Sequence, residues 1–252
     1  MPTRLLAHDG DLVQGTVVER PNRFVLRVRF DAASEAVDGE ATDATAEPER
    51  VHLSDPGALR VLQPGSPVLC SPVDDVSRKT DWDAIAVRDE DSDCWVSLRA
   101  ALANDLFVAA LDGGYLTGFP PFEDFEREPS LPDHGRADVK LETADGPVYV
   151  EVKSCTHVED GVALFPDRQT ERGRRHLRSL HDLVEAGVDA RLVFVVQRPD
   201  VAVLRPYRDV DPEFADLLAS ARAAGVGIHA MSVAFEPPEY VLAGANIPVE
   251  VD

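Results

Sequence analysis

Between residues 23 and 30 the chain alternates with a period of two. Phe24, Leu26, Val28 and Phe30 fall on one face, and Arg23, Arg27 and Arg29 fall on the other. The pattern predicts a half-buried strand whose outer side carries three guanidinium groups. An apolar stretch at 11–19, set off by Arg20-Pro21-Asn22, predicts the partner strand of a hairpin. Further strands are predicted near 50–54 and 67–73, with Gly and Pro turns between them. Short strands in this arrangement predict a small barrel of the OB type.

Beyond Arg78-Lys79-Thr80, Leu98, Ala101, Leu102, Leu106 and Ala109 recur at helical spacing over 97–111. The stretch 112–135 is rich in turn residues. Regular elements follow: strands at 136–143 and 147–155, a helix at 170–186 ending at Gly187, and a strand at 190–197. A helix from Asp211 to Ala224 has Pro212 in its first turn and Gly225 just past its end, and a strand at 226–231 follows. Strand–helix–strand–helix–strand predicts parallel pairing and a three-layer α/β core. The expected division is a barrel domain over 1–80 and an α/β domain over 81–252.

Composition narrows the setting. Hydrophobic residues make up 44% of the chain, enough for a packed core. No apolar run approaches the roughly 18 residues of a membrane span, and Met1-Pro2-Thr3-Arg4 leads into no signal-peptide core. The expectation is a cytoplasmic protein with no membrane partner. Cys70, Cys94 and Cys155 lack metal-ligand spacing and read as buried thiols.

Charge changes the picture more. Against 46 acidic residues stand 25 basic ones, a net charge of −21, and only Lys79, Lys140 and Lys153 are lysines. An acid-rich, lysine-poor surface suits a halophilic cytoplasm, where the Debye length falls to about 3 Å at 1 M salt and carboxylates keep the surface hydrated. The segment 31–50, rich in Asp, Glu, Ala and Thr, reads as an acidic insertion. Acidity of this origin counts little against nucleic-acid binding. It makes each retained lysine a candidate for chemistry that arginine cannot perform.

One constellation has that character. Asp145-Gly146 predicts a two-residue hairpin turn, which would place Asp138 opposite Lys153 and Lys140 opposite Glu151. All four would share one sheet face, with Val148, Val150 and Val152 on the other. Two carboxylates beside a lysine suit metal-dependent phosphodiester chemistry. Asp138 and Glu151 would offer hard oxygen ligands to Mg²⁺ or Mn²⁺, and Lys153 would hold the attacking water or offset charge on the phosphate. The competing reading is a cross-strand ladder of ion pairs.

A second cluster runs from Phe165 to His176. Gln169, Arg172 and His176 fall on one helix face, and Leu177, Leu180 and Val184 form the core stripe. Gly173 inside a helix costs about 1 kcal/mol relative to Ala, which predicts close approach by a backbone or a ligand. Five arginines between 168 and 178 would suit a phosphate backbone.

These segments, in this order, resemble the sugar fermentation stimulation protein A family. The resemblance rests on Val51-His52-Leu53-Ser54-Asp55-Pro56-Gly57, Leu62-Gln63-Pro64-Gly65, Arg78-Lys79-Thr80 and Asn104. It continues through Gly135-Arg136-Ala137-Asp138, Tyr149-Val150-Glu151-Val152-Lys153-Ser154 and the run Leu164 to Leu177. It implies an N-terminal OB-like domain, a C-terminal domain similar to the PD-(D/E)XK nuclease fold, and DNA binding linked to sugar utilisation. Carried over by motif, Asp138, Glu151 and Lys153 match the nuclease signature, with Glu128 or Glu126 as the upstream acid. Arg23, Arg27, Arg29, Lys79, Gln169, Arg172 and His176 are the candidate nucleic-acid contacts. Three functions compete: a metal-dependent nuclease, a DNA-binding regulator that does not cut, and a nucleotide or sugar-phosphate sensor.

Overall fold

The computed structural model describes residues 2–31, 47–54, 61–75, 77–131 and 135–251, so most of the acidic segment expected over 31–50 lies outside the described residues. The chain enters through β1 (Thr3–Ala7). It then builds β2 (Val13–Asn22), β3 (Val25–Phe30), β4 (Glu49–His52), β5 (Pro67–Pro72), β6 (Trp82–Asp89) and β7 (Cys94–Ser97). Strands β2 to β6 close on themselves: β3 pairs with β2 and β4, β5 with β2 and β6, and β4 runs parallel to β6. β7 extends β6. Alternation drives this closure, because Leu26, Val28, Val51, Val68 and Val87 point inward and are fully buried. The result is the expected OB barrel.

The division at residue 80 does not match the topology. β6 and β7 lie beyond residue 80 yet belong to the barrel sheet, while β1 leaves it to pair with the last strand of the chain. The exchange arises from long-range pairing, which local pattern does not register.

The second half comprises α1 (Leu102–Asp112), β8 (Phe122–Arg127), β9 (Val139–Thr143), β10 (Gly146–Cys155), β11 (Val158–Glu159) and β12 (Val162–Phe165). It continues with α2 (Glu171–Glu185), β13 (Asp189–Val196), β14 (Val203–Pro206), α3 (Pro212–Ala224), β15 (Gly227–Glu236) and β16 (Glu239–Gly244). A seven-stranded sheet has the order β1-β16-β15-β13-β10-β9-β8. Its centre, β10, β13 and β15, is parallel, as strand–helix alternation requires, and its flanks are antiparallel. A smaller sheet joins β11, β12 and β14.

The two faces of the large sheet carry separate cores. On one, Val150, Val152, Val193 and Val195 pack with Leu106, Phe107 and Ala110 of α1 and with Leu69, Ile85 and Ala86 of the barrel. On the other, Leu192, Phe194 and Val196 pack with Leu177 and Leu180 of α2 and Phe214 and Leu218 of α3. Helix, sheet and helix pair form three layers. The barrel shares the α1-side core, and ties outside it reinforce the junction. The Arg198 guanidinium, almost wholly buried, meets Asp89 of β6 and Asp200 at 2.6 Å each.

The helix ends follow their signals. Thr170 Oγ1 accepts from Gly173 N at 3.0 Å at the start of α2, and Asp211 Oδ1 accepts from Phe214 N at 3.0 Å at the start of α3. Gly225 ends α3 with φ +110°, a left-handed cap that favours glycine.

Candidate active site

The hairpin that carries the carboxylates is shifted from its expected register. Ala144 and Asp145 form the loop, Gly146 with φ +115° follows it, and Thr143 pairs with Gly146. Lys140 therefore lies opposite Tyr149 rather than Glu151, and it is paired with Glu142 at 2.5 Å. The total shift preserves parity, so Tyr149, Glu151 and Lys153 still alternate with the buried Val148, Val150 and Val152.

Asp138 stands just before β9, where the backbone bends away from the ladder. Its N–H donates to Val150 O at 3.1 Å. Its carboxylate replaces the next backbone partner, Oδ2 accepting from Val152 N at 2.7 Å. Oδ1 accepts from Asn104 Nδ2 of α1 at 3.1 Å. A helix packed on the sheet and a strand within it thus fix one carboxylate, at the point where β9 and β10 part. Asn104 belongs to the sequence resemblance, but no local pattern connects it to the site.

Glu151 is 4% exposed, and its Oε1 accepts from Lys153 Nζ and lies against His176 Nδ1 of α2. Lys153 Nζ and His176 Nδ1 are 3.2 Å apart, and Arg172 Nε reaches His176 Nε2 at 3.4 Å. Burial pushes the Glu151 carboxyl up, but His176 and Lys153 outweigh it and hold the group below the usual carboxylate range. Asp138 goes the other way. Burial raises its carboxyl, the neighbouring Glu151 charge raises it further, and the Val152 amide, Lys153 and Asn104 offset this only in part.

A groove of about 350 Å³ opens beside Lys153, lined by Thr156 and His157 of the same chain segment, Phe165, Arg168 and Arg172. The start of α2 faces it, so its free amide dipoles and two guanidinium groups border one space.

Other expected contacts divide. Gln169 is exposed at the mouth of α2. Arg174 and Arg178 are committed elsewhere: Arg174 binds Asp211 at 2.8 Å and Glu213 at 2.6 Å, and Arg178 binds Glu213 at 2.6 Å. Gly173 does make room, but for side chains of the fold: a Cβ there would meet Thr170 Cγ2 at 2.7 Å and Phe214 Cε2 at 3.3 Å. In α2 the buried stripe is Leu177, Leu180 and Leu183, with Val184 only partly buried. Arg27 and Arg29 lie on the outer side of β3 as expected, whereas Arg23 and Phe24 sit in the turn before that strand, where the alternation has not yet begun and Phe24 is exposed rather than inward; Lys79 lies exposed on the barrel.

The upstream acid is not gathered in. Glu128 is 70% exposed and paired with Arg136 at 3.3 Å. Glu126 is exposed on β8, opposite Lys140. Among the described residues, the trio of His and carboxylate donor atoms lying within 4.8 Å of one another is His181, Asp182 and Glu185 on α2, apart from Asp138. Within the candidate site itself, the two carboxylates that could meet a cation are Asp138 and Glu151, and neither belongs to that trio. Burial and, after it, repulsion from Glu151 raise the Asp138 carboxyl, and a cation between the two carboxylates would relieve the repulsive part.

Comparison with known proteins places this arrangement in a family context. The profile described as "Sugar fermentation stimulation protein RE domain" matches residues 101–239, and "SfsA N-terminal OB domain" matches residues 18–98. A sugar fermentation stimulation protein homolog of Methanothermobacter thermautotrophicus is 35% identical over 91% of this chain and 89% of its own. The homolog of Moorella thermoacetica is 38% identical over 90% and 92%. The solved structure of SfsA from Pyrococcus furiosus, in complex with Ca²⁺, superposes with a TM-score of 0.82 at 27% identity, covering 98% of this chain and 99% of that one.

Proposed function

The chain belongs to the sugar fermentation stimulation protein family, and from that premise we propose that it is a metal-dependent nuclease acting on DNA. The observation that carries this reading is the gathering of two carboxylates and a lysine where β9 and β10 part, Asp138 fixed by Asn104 and Val152 N, and Glu151 held by Lys153 and His176. Burial and the Glu151 charge raise the Asp138 carboxyl while His176 and Lys153 hold Glu151 down, which accords with it. Asp138 and Glu151 would hold Mg²⁺ or Mn²⁺, which when bound supplies Lewis-acid polarisation of a phosphate and activation of water. The Ca²⁺ complex of the Pyrococcus furiosus relative supports a hard, oxygen-seeking cation. Lys153 offsets charge on the phosphate, and Arg168 and Arg172 orient it in the groove. Arg23, Arg27, Arg29 and Lys79 on the barrel contribute to holding the nucleic acid. We place this activity in the cytoplasm; among the described residues no helix is long and apolar enough to cross a membrane.

The test is DNA cleavage in high potassium salt with Mg²⁺ or Mn²⁺, beside Asp138→Ala and Glu151→Ala. Cleavage that needs the metal and disappears in both variants supports the reading. A second reading, a DNA-binding regulator that does not cut, is favoured by the outward placement of Glu128 and by the engagement of Glu151 Oε1 with Lys153 and His176. Binding without cleavage across salts and metals would select it.

A further inference from the structure

A second pocket, of about 440 Å³, lies on the barrel at its junction with the α/β domain. Its walls come from the outer faces of β3, β4 and β6 and from the Arg78-Lys79-Thr80 turn. In a chain of net charge −21, four cations line it: Arg50, Arg78, Lys79 and Arg99. The one carboxylate among the described lining residues, Asp83, is taken by Arg78 at 2.5 Å and by His52 at 2.8 Å. Among the described residues, Arg50, Lys79 and Arg99 therefore leave an excess of positive charge. The sheet register adds to it, because Arg50 sits directly opposite Arg27, whose carboxylate neighbour Glu19 is 3.9 Å away. Like charges directly opposite each other destabilise a sheet, and an anion above them would reverse the sign.

Beside these cations stands Phe24. Its side chain is 43% exposed, one of two such large apolar residues among those described. Arg23 lies over the ring at 4.6 Å from its centroid and steadies it. An exposed ring interleaved with cations that have no carboxylate partner among the described residues is the chemistry of base stacking along a phosphate backbone. In a duplex the base faces are occupied by one another, and the ring would find no partner there. A pocket of this volume takes one or two nucleotides and not a double helix.

The pocket also leads somewhere. Arg99 and Ala101 line it, while Ala100 lines the groove beside Lys153. One short segment is thus the shared wall of the barrel pocket and the candidate active site.

We infer that the barrel pocket holds a single nucleic-acid strand, with phosphates on Arg50, Lys79 and Arg99 and a base stacked on Phe24, and that the strand crosses 99–101 into the groove at Lys153. This rests on the reading of the protein as a nucleic-acid-binding one and specifies the form of nucleic acid.

The experiment is fluorescence anisotropy with the full chain, using labelled oligothymidylate and a blunt duplex of equal length, in EDTA so that no cleavage intervenes. The single strand is expected to bind at least about tenfold tighter than the duplex, and Phe24→Ala to weaken it about fivefold or more. Phe24→Trp is expected to retain that binding, which shows that any loss in Phe24→Ala comes from the ring. Arg50→Ala with Lys79→Ala is expected to reduce the slope of log affinity against log salt by about 1.4, roughly 0.7 for each phosphate contact. Equal binding of duplex and single strand would overturn the inference, as would indifference to Phe24→Ala or equally potent displacement by thymidine monophosphate. Because binding is read without metal, failure of cleavage alone leaves the inference standing, and duplex-specific cleavage overturns it alone.

Discussion

Asn104 on α1 donates to Asp138 Oδ1 at 3.1 Å, and Val152 N of β10 donates to the other oxygen of the same carboxylate at 2.7 Å. The helix that packs on one face of the sheet thereby sets the aim of the group that we propose as a metal ligand. Asn104 touches neither metal nor substrate in this account, so it is a positioning residue. Asn104→Ala is expected to lower Mn²⁺ affinity and cleavage by about tenfold or more, as loss of an outer-shell partner does, while thermal stability falls by only about 1 kcal/mol. Mn²⁺ titration alongside a melting curve separates the two effects. A purely structural role would lower stability and leave Mn²⁺ affinity unchanged.

Lys153 and His176 hold the buried Glu151 charge. Lys153→Ala leaves that carboxylate with His176 alone, and breaking such a buried pair from one side costs about 3–5 kcal/mol. Lys153→Ala should therefore be clearly destabilised in urea unfolding. Glu151→Gln with Lys153→Met, which removes both charges, should recover part of the loss. No recovery in the double variant would show that the pair is not coupled.

Arg198 joins the barrel to the α/β domain through Asp89 and Asp200, while Gln197 Nε2 donates to Arg99 O at 3.0 Å beside it. Arg198→Ala strands two carboxylates at this junction. Its expected signature is a loss of about 3 kcal/mol or more together with a broadened or two-step unfolding transition. An unchanged single transition would place the cohesion of the two halves in their shared apolar core alone.

His229 on β15 provides a pH test away from the site. Burial and the nearby Arg191 charge lower its ring to about 4 from an ordinary value of 6.5. In the unfolded chain the ring takes up a proton near 6.5, whereas the folded chain resists until about 4, so between these values the unfolded state binds more protons. Stability is therefore full above pH 6.5 and falls as pH drops through the window. Replacing His229 with Leu should flatten this part of the stability–pH curve, measured by urea denaturation at pH 7, 5.5 and 4.5. An unaltered slope would contradict it.

Legibility in the sequence followed the range of the interactions. The alternation of Leu26 and Val28 with Arg27 and Arg29, Pro212 in the first turn of α3 and the Gly225 stop are local, and each produced the expected element. The parallel centre of the sheet followed from strand–helix order. The pairing of β1 with β16 and the barrel closure of β4 on β6 join distant residues and leave no local trace. In the site, Asp138, Glu151 and Lys153 kept their common setting although the turn fell one residue earlier than Asp145-Gly146 suggested, because the shift preserved side-chain parity. The Asn104 contact and the outward turn of Glu128 depend on how α1 and β8 pack. His176, expected as a nucleic-acid contact on the helix face, reached Glu151 because its helix lies over β10's neighbour β13.

We propose that Asp138 and Glu151 together hold the cation on which DNA cleavage depends. The most direct test is the initial rate of cleavage against Mn²⁺ concentration, for the wild type beside Asp138→Ala and Glu151→Ala. Saturable Mn²⁺ dependence is expected in the wild type, with a loss of about 100-fold or more in each variant. Cleavage that survives both substitutions, or a wild-type chain that binds DNA and leaves it uncut at every Mn²⁺ concentration, would contradict it.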